Sequence, residues 1–207
     1  MLLAFAYTAI ISIFWFTPVE RGGFGFDQFQ IGMFMSLNGV SQALWLLVVF
    51  PPLQHRLGTN GVIRACAAAY PFFLGSSAVL NLLLRQGFVT LFWVLAPLAI
   101  MIGPGVSMSF TGIQLALNDV SPRPEMLGTL NALALTASAG IRAFAPGVFA
   151  SLFAIGDRTQ VLWGYLVWFI LVLLALALVV NTRYLPAASE KDYPAEAEPE
   201  ENGTPRG

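Results

Sequence analysis

Six stretches of this chain are long and apolar enough to be read as membrane-crossing helices, and they leave little room for any other architecture. They run over residues 2–17, 31–49, 62–84, 89–115, 127–153 and 161–180. A helix needs about 20 mostly apolar residues to cross the hydrocarbon core. The rest of the composition supports this. Hydrophobic types make up 57% of the chain and charged types 10%, against about a quarter charged in a soluble domain. A water-soluble fold would lack the polar side chains to cover its surface. The charges gather in the breaks. Glu20, Arg21 and Asp27 lie in the first, His55 and Arg56 in the second with Arg64 just beyond, and Arg85 in the third. Asp119, Arg123 and Glu125 lie in the fourth, and Asp157 and Arg158 in the fifth. Gly22-Gly23, Pro51-Pro52, Asn60-Gly61, Pro122 and Pro124 add turn signals there.

The sequence therefore predicts an all-α membrane protein with a six-span bundle over residues 1–185. Residues 186–207 read as an acidic, disordered cytoplasmic tail. The body before Pro186 carries a net charge of +3 and the remainder −4, and the tail has too few large apolar side chains to offset its ordering entropy. An even number of spans puts both termini on one side. Arg56, Arg64, Arg123, Arg183 and Lys191 on that side outnumber Arg21, Arg85 and Arg158 on the other, so the termini are expected in the cytoplasm. Residues 2–16 lack the basic leader and cleavage site of a signal peptide and read as a first span. A single cysteine, Cys66, excludes an intrachain disulfide and reads as a small buried hydrophobe.

The spans differ in polarity. The sixth holds nothing more polar than Trp163, Tyr165 and Trp168. The third holds only Tyr70, Ser76, Ser77 and Asn81, toward one end. Either can face lipid. The second, fourth and fifth carry polar faces, which are costly in hydrocarbon and should meet protein or water. In the second, Asn38, Gln42 and Trp45 share a helix face, beside a small-residue stripe of Gly32, Ser36, Gly39 and Ala43 that fits a close helix contact. Asn38 and Gln42 fit interhelical hydrogen bonding and a substrate cavity equally well. In the fourth, Gly103-Pro104-Gly105 should break the helix. Beyond it Ser107, Thr111, Gln114 and Asn118 form one polar stripe, as expected where a broken helix lines a cavity. In the fifth, Asn131, Ser138 and Arg142 share a face. Arg142 lies roughly 15 Å from the nearer helix end at the standard rise, too deep to reach water by snorkelling, so it requires a partner. That partner is an anionic substrate group, backbone carbonyls, a lipid phosphate or another chain's carboxylate; a purely structural arginine is the competing reading. His55 is the one histidine and reads as a loop residue. No metal cluster, nucleophile–base pair or phosphate loop is present, so no enzyme, cofactor or nucleic-acid partner is expected.

The stretch from Gly22 to Arg64, the loop from Pro51 to Gly58 with its Arg56 and Gly58, the segment NDVSPRPEMLG from Asn118, and Arg142-Ala143-Phe144-Ala145-Pro146 together resemble the second half of a major facilitator superfamily transporter. Within that superfamily they are similar to fungal members of the zinc-induced-facilitator-like and drug:proton antiporter branch. The resemblance covers nearly all of residues 1–185. It implies the C-terminal half of a twelve-helix fold, with the first and fourth spans innermost, the second and fifth flanking the cavity, and the third and sixth outside. It also implies transport of a small solute by alternating access between plasma or vacuolar membrane faces, with Asn38, Gln42, Gln114, Asn118, Asn131 and Arg142 as cavity or gate residues. The partners would be the bilayer, the solute, and either an N-terminal six-helix half or a second copy of the chain. A non-transporting fragment or regulatory subunit is the alternative.

Overall fold

A computed structural model describes residues 1–120 and 124–184, with side chains at 1–115 and 128–184. The expected acidic tail lies outside the described residues. Among them every regular element is helical: α1 (Leu2–Phe16), α2 (Gln28–Leu44), a π turn (Trp45–Val49), α3 (Phe50–Arg85), α4 (Val89–Ile102), a 3-10 turn (Gly103–Ser107), α5 (Met108–Val120), α6 (Pro124–Thr159) and α7 (Leu166–Thr182). Three helical runs, Gln28–Arg85, Val89–Leu115 and Gly128–Thr159, are long and apolar enough to cross a membrane, and α1 and α7 are shorter apolar helices.

The 58-residue run is not one straight rod. Gly58 inside α3 takes φ 67° and ψ 168°, a conformation that glycine alone adopts without strain. The second helix also passes the point where Pro51 and Pro52 were expected to end it. The π turn sits immediately before the two prolines. Its wider ring gives their side chains room that a regular α-turn denies them, since each proline clashes with the carbonyl four residues back. The helix thus reaches Leu57 before Gly58 turns the chain.

The core is built around aromatic rings. Phe14 of α1 packs edge-on against Trp168 of α7 and Phe24 of the first connection, with ring centroids 4.7 and 4.8 Å apart. Phe24, Phe26, Phe34 and Phe92 continue the cluster. Edge-to-face pairs of this kind add about 0.5–1.5 kcal/mol each beyond their buried area. α1 lies along α6, α2 along α4, and α3 along both α5 and α7.

The first connection folds back onto the end of α1. The amides of Thr17, Phe24 and Phe26 donate to the carbonyls of Ile13, Phe14 and Trp15, so the open end of the helix is satisfied without water. Gly23 is required there, because a Cβ would stand 2.1 Å from the Thr17 carbonyl oxygen. Asp27 then caps α2. Its carboxylate accepts from the Gln30 amide at 2.7 Å while the Gln30 side chain accepts from the Asp27 amide at 3.1 Å, a reciprocal capping box.

The third span departs most from its sequence reading. Asn81 does not face lipid but is fully buried. Its amide nitrogen donates to the carbonyls of Val19 (3.2 Å) and Gly23, and its amide oxygen accepts from the Tyr165 hydroxyl at 2.5 Å. One turn on, the Arg85 guanidinium donates to the carbonyls of Val19 (3.1 Å), Glu20 (2.9 Å) and Trp163 (3.1 Å) and lies over the Tyr165 ring. The end of α3 therefore ties together two connections distant in sequence. The second is a tight turn in which Gln160, Leu162 and Trp163 all take positive φ, which is strained for such residues. The sixth helix accordingly begins at Leu166, not at Val161. Asn81→Ala should cost about 1–3 kcal/mol by orphaning the groups it now satisfies. Thermal unfolding in detergent should show a clear loss for Asn81→Ala and a smaller one for Tyr165→Phe.

Candidate functional site

Pro104 sits at the second position of the 3-10 turn between α4 and α5. In a 3-10 turn the carbonyl of Met101 would accept from the amide three residues on, and Pro104 has none to give. Two side chains, one from the end of α2 and one from the π turn after it, supply the missing donors. Ser41 Oγ donates to the Met101 oxygen at 2.5 Å, and Trp45 Nε1 donates to it at 2.7 Å. The glycines flanking Pro104 let this happen. A Cβ on Gly103 would stand 1.9 Å from the Phe73 ring of α3, and one on Gly105 would stand 3.1 Å from the Trp45 ring. The buried Cys66 thiol donates to the Gly105 carbonyl at 3.6 Å. The break is thus gripped by α2 on one side and α3 on the other. Sequence reasoning flagged the break and Trp45 but missed Ser41 and Phe73. Their signal was present only in retrospect: Ser41 lies one turn before Trp45 on the same face.

The remaining polar residues are less occupied. Asn38 is half-buried and Gln42 is exposed on α2, and Gln114 is exposed on α5. Among the described residues none of the three makes a side-chain hydrogen bond, so the interhelical bonding considered for Asn38 and Gln42 is not made there. The Asn118 side chain lies outside the described residues. In the small-residue stripe beside Asn38, Gly32 and Gly39 have open space among the described residues where a Cβ would stand.

On α6, Asn131 is half-buried and Ser138 is buried. Ser138 Oγ donates to the Ala134 carbonyl at 2.8 Å and lies 2.7 Å from the Met1 sulfur. Arg142, at the middle of α6, is exposed, and its guanidinium carbon stands 4.7 Å over the Phe5 ring of α1. A cation over an aromatic face gains about 0.5–2 kcal/mol, but that leaves the five guanidinium N–H donors unspent. Among the described residues the one ion pair joins Arg21 to Asp157 at 3.7 Å; no carboxylate reaches Arg142. The structure therefore joins Ser138 and Arg142 against the start of α1 and keeps Asn38, Gln42 and Gln114 out of hydrogen-bond reach of Arg142. Arg56 and Gly58 of the loop pattern are both exposed at the turn between the second and third helical segments.

Apolar helices closed by internal hydrogen bonds, with unsatisfied polar side chains on some of their exposed faces, define an integral, multi-pass membrane protein. Comparison with known proteins narrows the class. Over 191 residues, 92% of its length, the chain is 41% identical to an efflux pump of Aspergillus niger (azaK), covering 41% of that pump. It is 27% identical over 189 residues to the major facilitator-type transporter psiT2 of Psilocybe cyanescens, with 84% of this chain and 36% of the relative aligned. The psiT2 transporter of Psilocybe cubensis is 26% identical over 191 residues, with 86% and 36% aligned. No family model matches the chain, and no solved structure matches it. Over most of its length the chain is thus similar to transporters, among them two of the major facilitator type. It spans about two-fifths of the length of the curated relatives it matches.

The grip on the broken helix is open to test. Trp45→Phe should lower stability by about 1 kcal/mol, because it removes one donor from the Met101 carbonyl. Gly103→Leu should prevent the α3–α4 contact from forming at all. Detergent thermal unfolding and size-exclusion profiles distinguish the modest loss from the gross one.

Proposed function

We propose that the chain forms six spans, residues 2–16, 28–57, 59–85, 89–120, 124–159 and 166–182, and serves as one half of a solute transporter that works by alternating access. Counting six rests on treating Gly58 as the turn between two helices and the 3-10 turn as a break within one. Residues 1–185 are the bundle and 186–207 its acidic cytoplasmic tail. Both termini lie in the cytoplasm of a plasma or vacuolar membrane.

One observation carries this reading: Arg142 is exposed at mid-helix with an aromatic ring beneath it and no carboxylate of the described residues in reach. Facing lipid, such a group costs several kcal/mol. Facing a second six-helix bundle or a water-filled path, it does not. The free amides of Asn38, Gln42 and Gln114 add the same preference. Together with Asn118 and Asn131 they would line the path, and Arg142 would hold an anionic group of the solute or pair with a carboxylate of the facing bundle. That bundle is an N-terminal half or a second copy of this chain. The relatives named as an efflux pump and as major facilitator-type transporters support transport of a small organic solute.

Arg142→Ala should reduce solute flux in proteoliposomes by at least about tenfold, as expected on removing one partner of a desolvated charge pair, with thermal stability lowered by no more than the roughly 0.5–2 kcal/mol of its Phe5 contact. Normal flux by that variant removes Arg142 from the path. Flux with no added partner bundle would favour pairing of two copies, and flux that appears only on adding an N-terminal half would favour a split transporter.

A further inference from the structure

The helical segment 59–85 and α7 run antiparallel. At one end Arg85 reaches the Trp163 carbonyl and the Tyr165 ring just before α7 begins. At the other end Arg64 and Arg183 line a shared concavity of about 400 Å³ with Val179 and Thr182. Arg64 and Arg85 are 21 residues apart, about 31 Å along a helix at 1.5 Å per residue, which matches the roughly 30 Å thickness of the hydrocarbon core. The two ends of this helix pair therefore stand at opposite headgroup layers.

The two ends treat their arginines differently. Arg85 is spent on three backbone carbonyls. Arg64 and Arg183 are exposed, and among the described residues neither guanidinium makes a hydrogen bond or ion pair. Thr182 is buried beside them with its one hydroxyl proton spent on the Val179 carbonyl, so the two guanidiniums are the side-chain donors that the concavity's lining offers. Toward the bilayer centre, Leu173, Leu176 and Val180, which share the α7 face of Arg183, are all exposed and continue the concavity as an apolar surface.

We propose that this concavity binds the headgroup of an anionic phospholipid, with its phosphate between the Arg64 and Arg183 guanidiniums and an acyl chain along the exposed leucines of α7. Guanidinium forks match phosphate oxygens in pairs, and basic pockets between membrane helices at a headgroup layer suit anionic lipids. The apolar wall below the arginines favours a lipid over a free phosphate, because a soluble anion gains nothing from it. The site does not depend on the chain being a transporter.

The test is native mass spectrometry of the purified chain carried through nanodiscs of phosphatidylcholine with added phosphatidylserine. The wild-type chain should retain a bound phosphatidylserine, and the double variant Arg64→Gln/Arg183→Gln should hold it about thirtyfold more weakly. Arg158→Gln, near the opposite headgroup layer, should hold it as the wild type does. Equal retention by the double variant and the wild type overturns the site, as does equal retention of phosphatidylcholine. Inorganic phosphate that displaces phosphatidylserine completely at low concentration would assign the concavity to a soluble anion and overturn the lipid reading. If the double variant unfolds, each single variant should weaken retention about fivefold, and no effect of either sinks the proposal.

Discussion

Every backbone carbonyl and amide in the hydrocarbon must find a partner within the protein, and the details of this bundle follow from where that requirement is hardest to meet. It is hardest at Met101, whose carbonyl loses its 3-10 partner to Pro104, and at the end of α1, where the helix stops inside the bundle. Ser41 and Trp45 answer the first. The returning amides of Phe24 and Phe26 answer the second. Neither solution is local to the helix with the problem. Each one fixes a neighbouring element in register and depth, so the satisfaction of backbone groups also sets the packing.

The polar side chains consequently divide into two populations. Asn81, Arg85, Ser41 and Trp45 are engaged with backbone carbonyls and serve the fold. Asn38, Gln42, Gln114 and Arg142 have donors to spare. In water that division would mean little, since solvent would satisfy the second group. In a bilayer it separates faces that can meet lipid from faces that need another surface. Chemistry alone does not assign a residue to either set: Asn81 and Asn38 have the same amide, and what differs is whether a carbonyl from a distant connection stands within 3.2 Å of it.

This explains what could be read from the sequence. The apolar, all-helical character of the chain and the break at Gly103–Gly105 are local properties of composition and spacing, and they were legible. The continuation of a helix through Pro51-Pro52 was not, because it depends on a π turn that no residue pattern announces. The role of Asn81 was misread because its partners, Val19, Gly23 and Tyr165, come from both ends of the chain. The late start of α7 was missed for a related reason. Residues 161–164 are as apolar as the helix that follows, and backbone bonds from Trp163 to Gln160 and from Tyr165 to Leu162, with the Arg85 contact to the Trp163 carbonyl, hold them in a turn. The small-residue stripe of α2 was expected to be a contact surface, and among the described residues Gly32 and Gly39 have open space where a Cβ would stand.

The position of Asn81 and Arg85 in the chain bears on how the bundle is assembled. Residues 17–25 emerge from the ribosome before them and residues 160–165 long after. The first connection can therefore be locked as soon as residues 59–85 are in place, whereas Arg85 keeps one bond, and Asn81 one lone pair, open until residues 160–165 arrive. A chain stalled before α7 would hold an incompletely satisfied arginine at the bilayer edge, a mark by which quality control can tell unfinished bundles from finished ones.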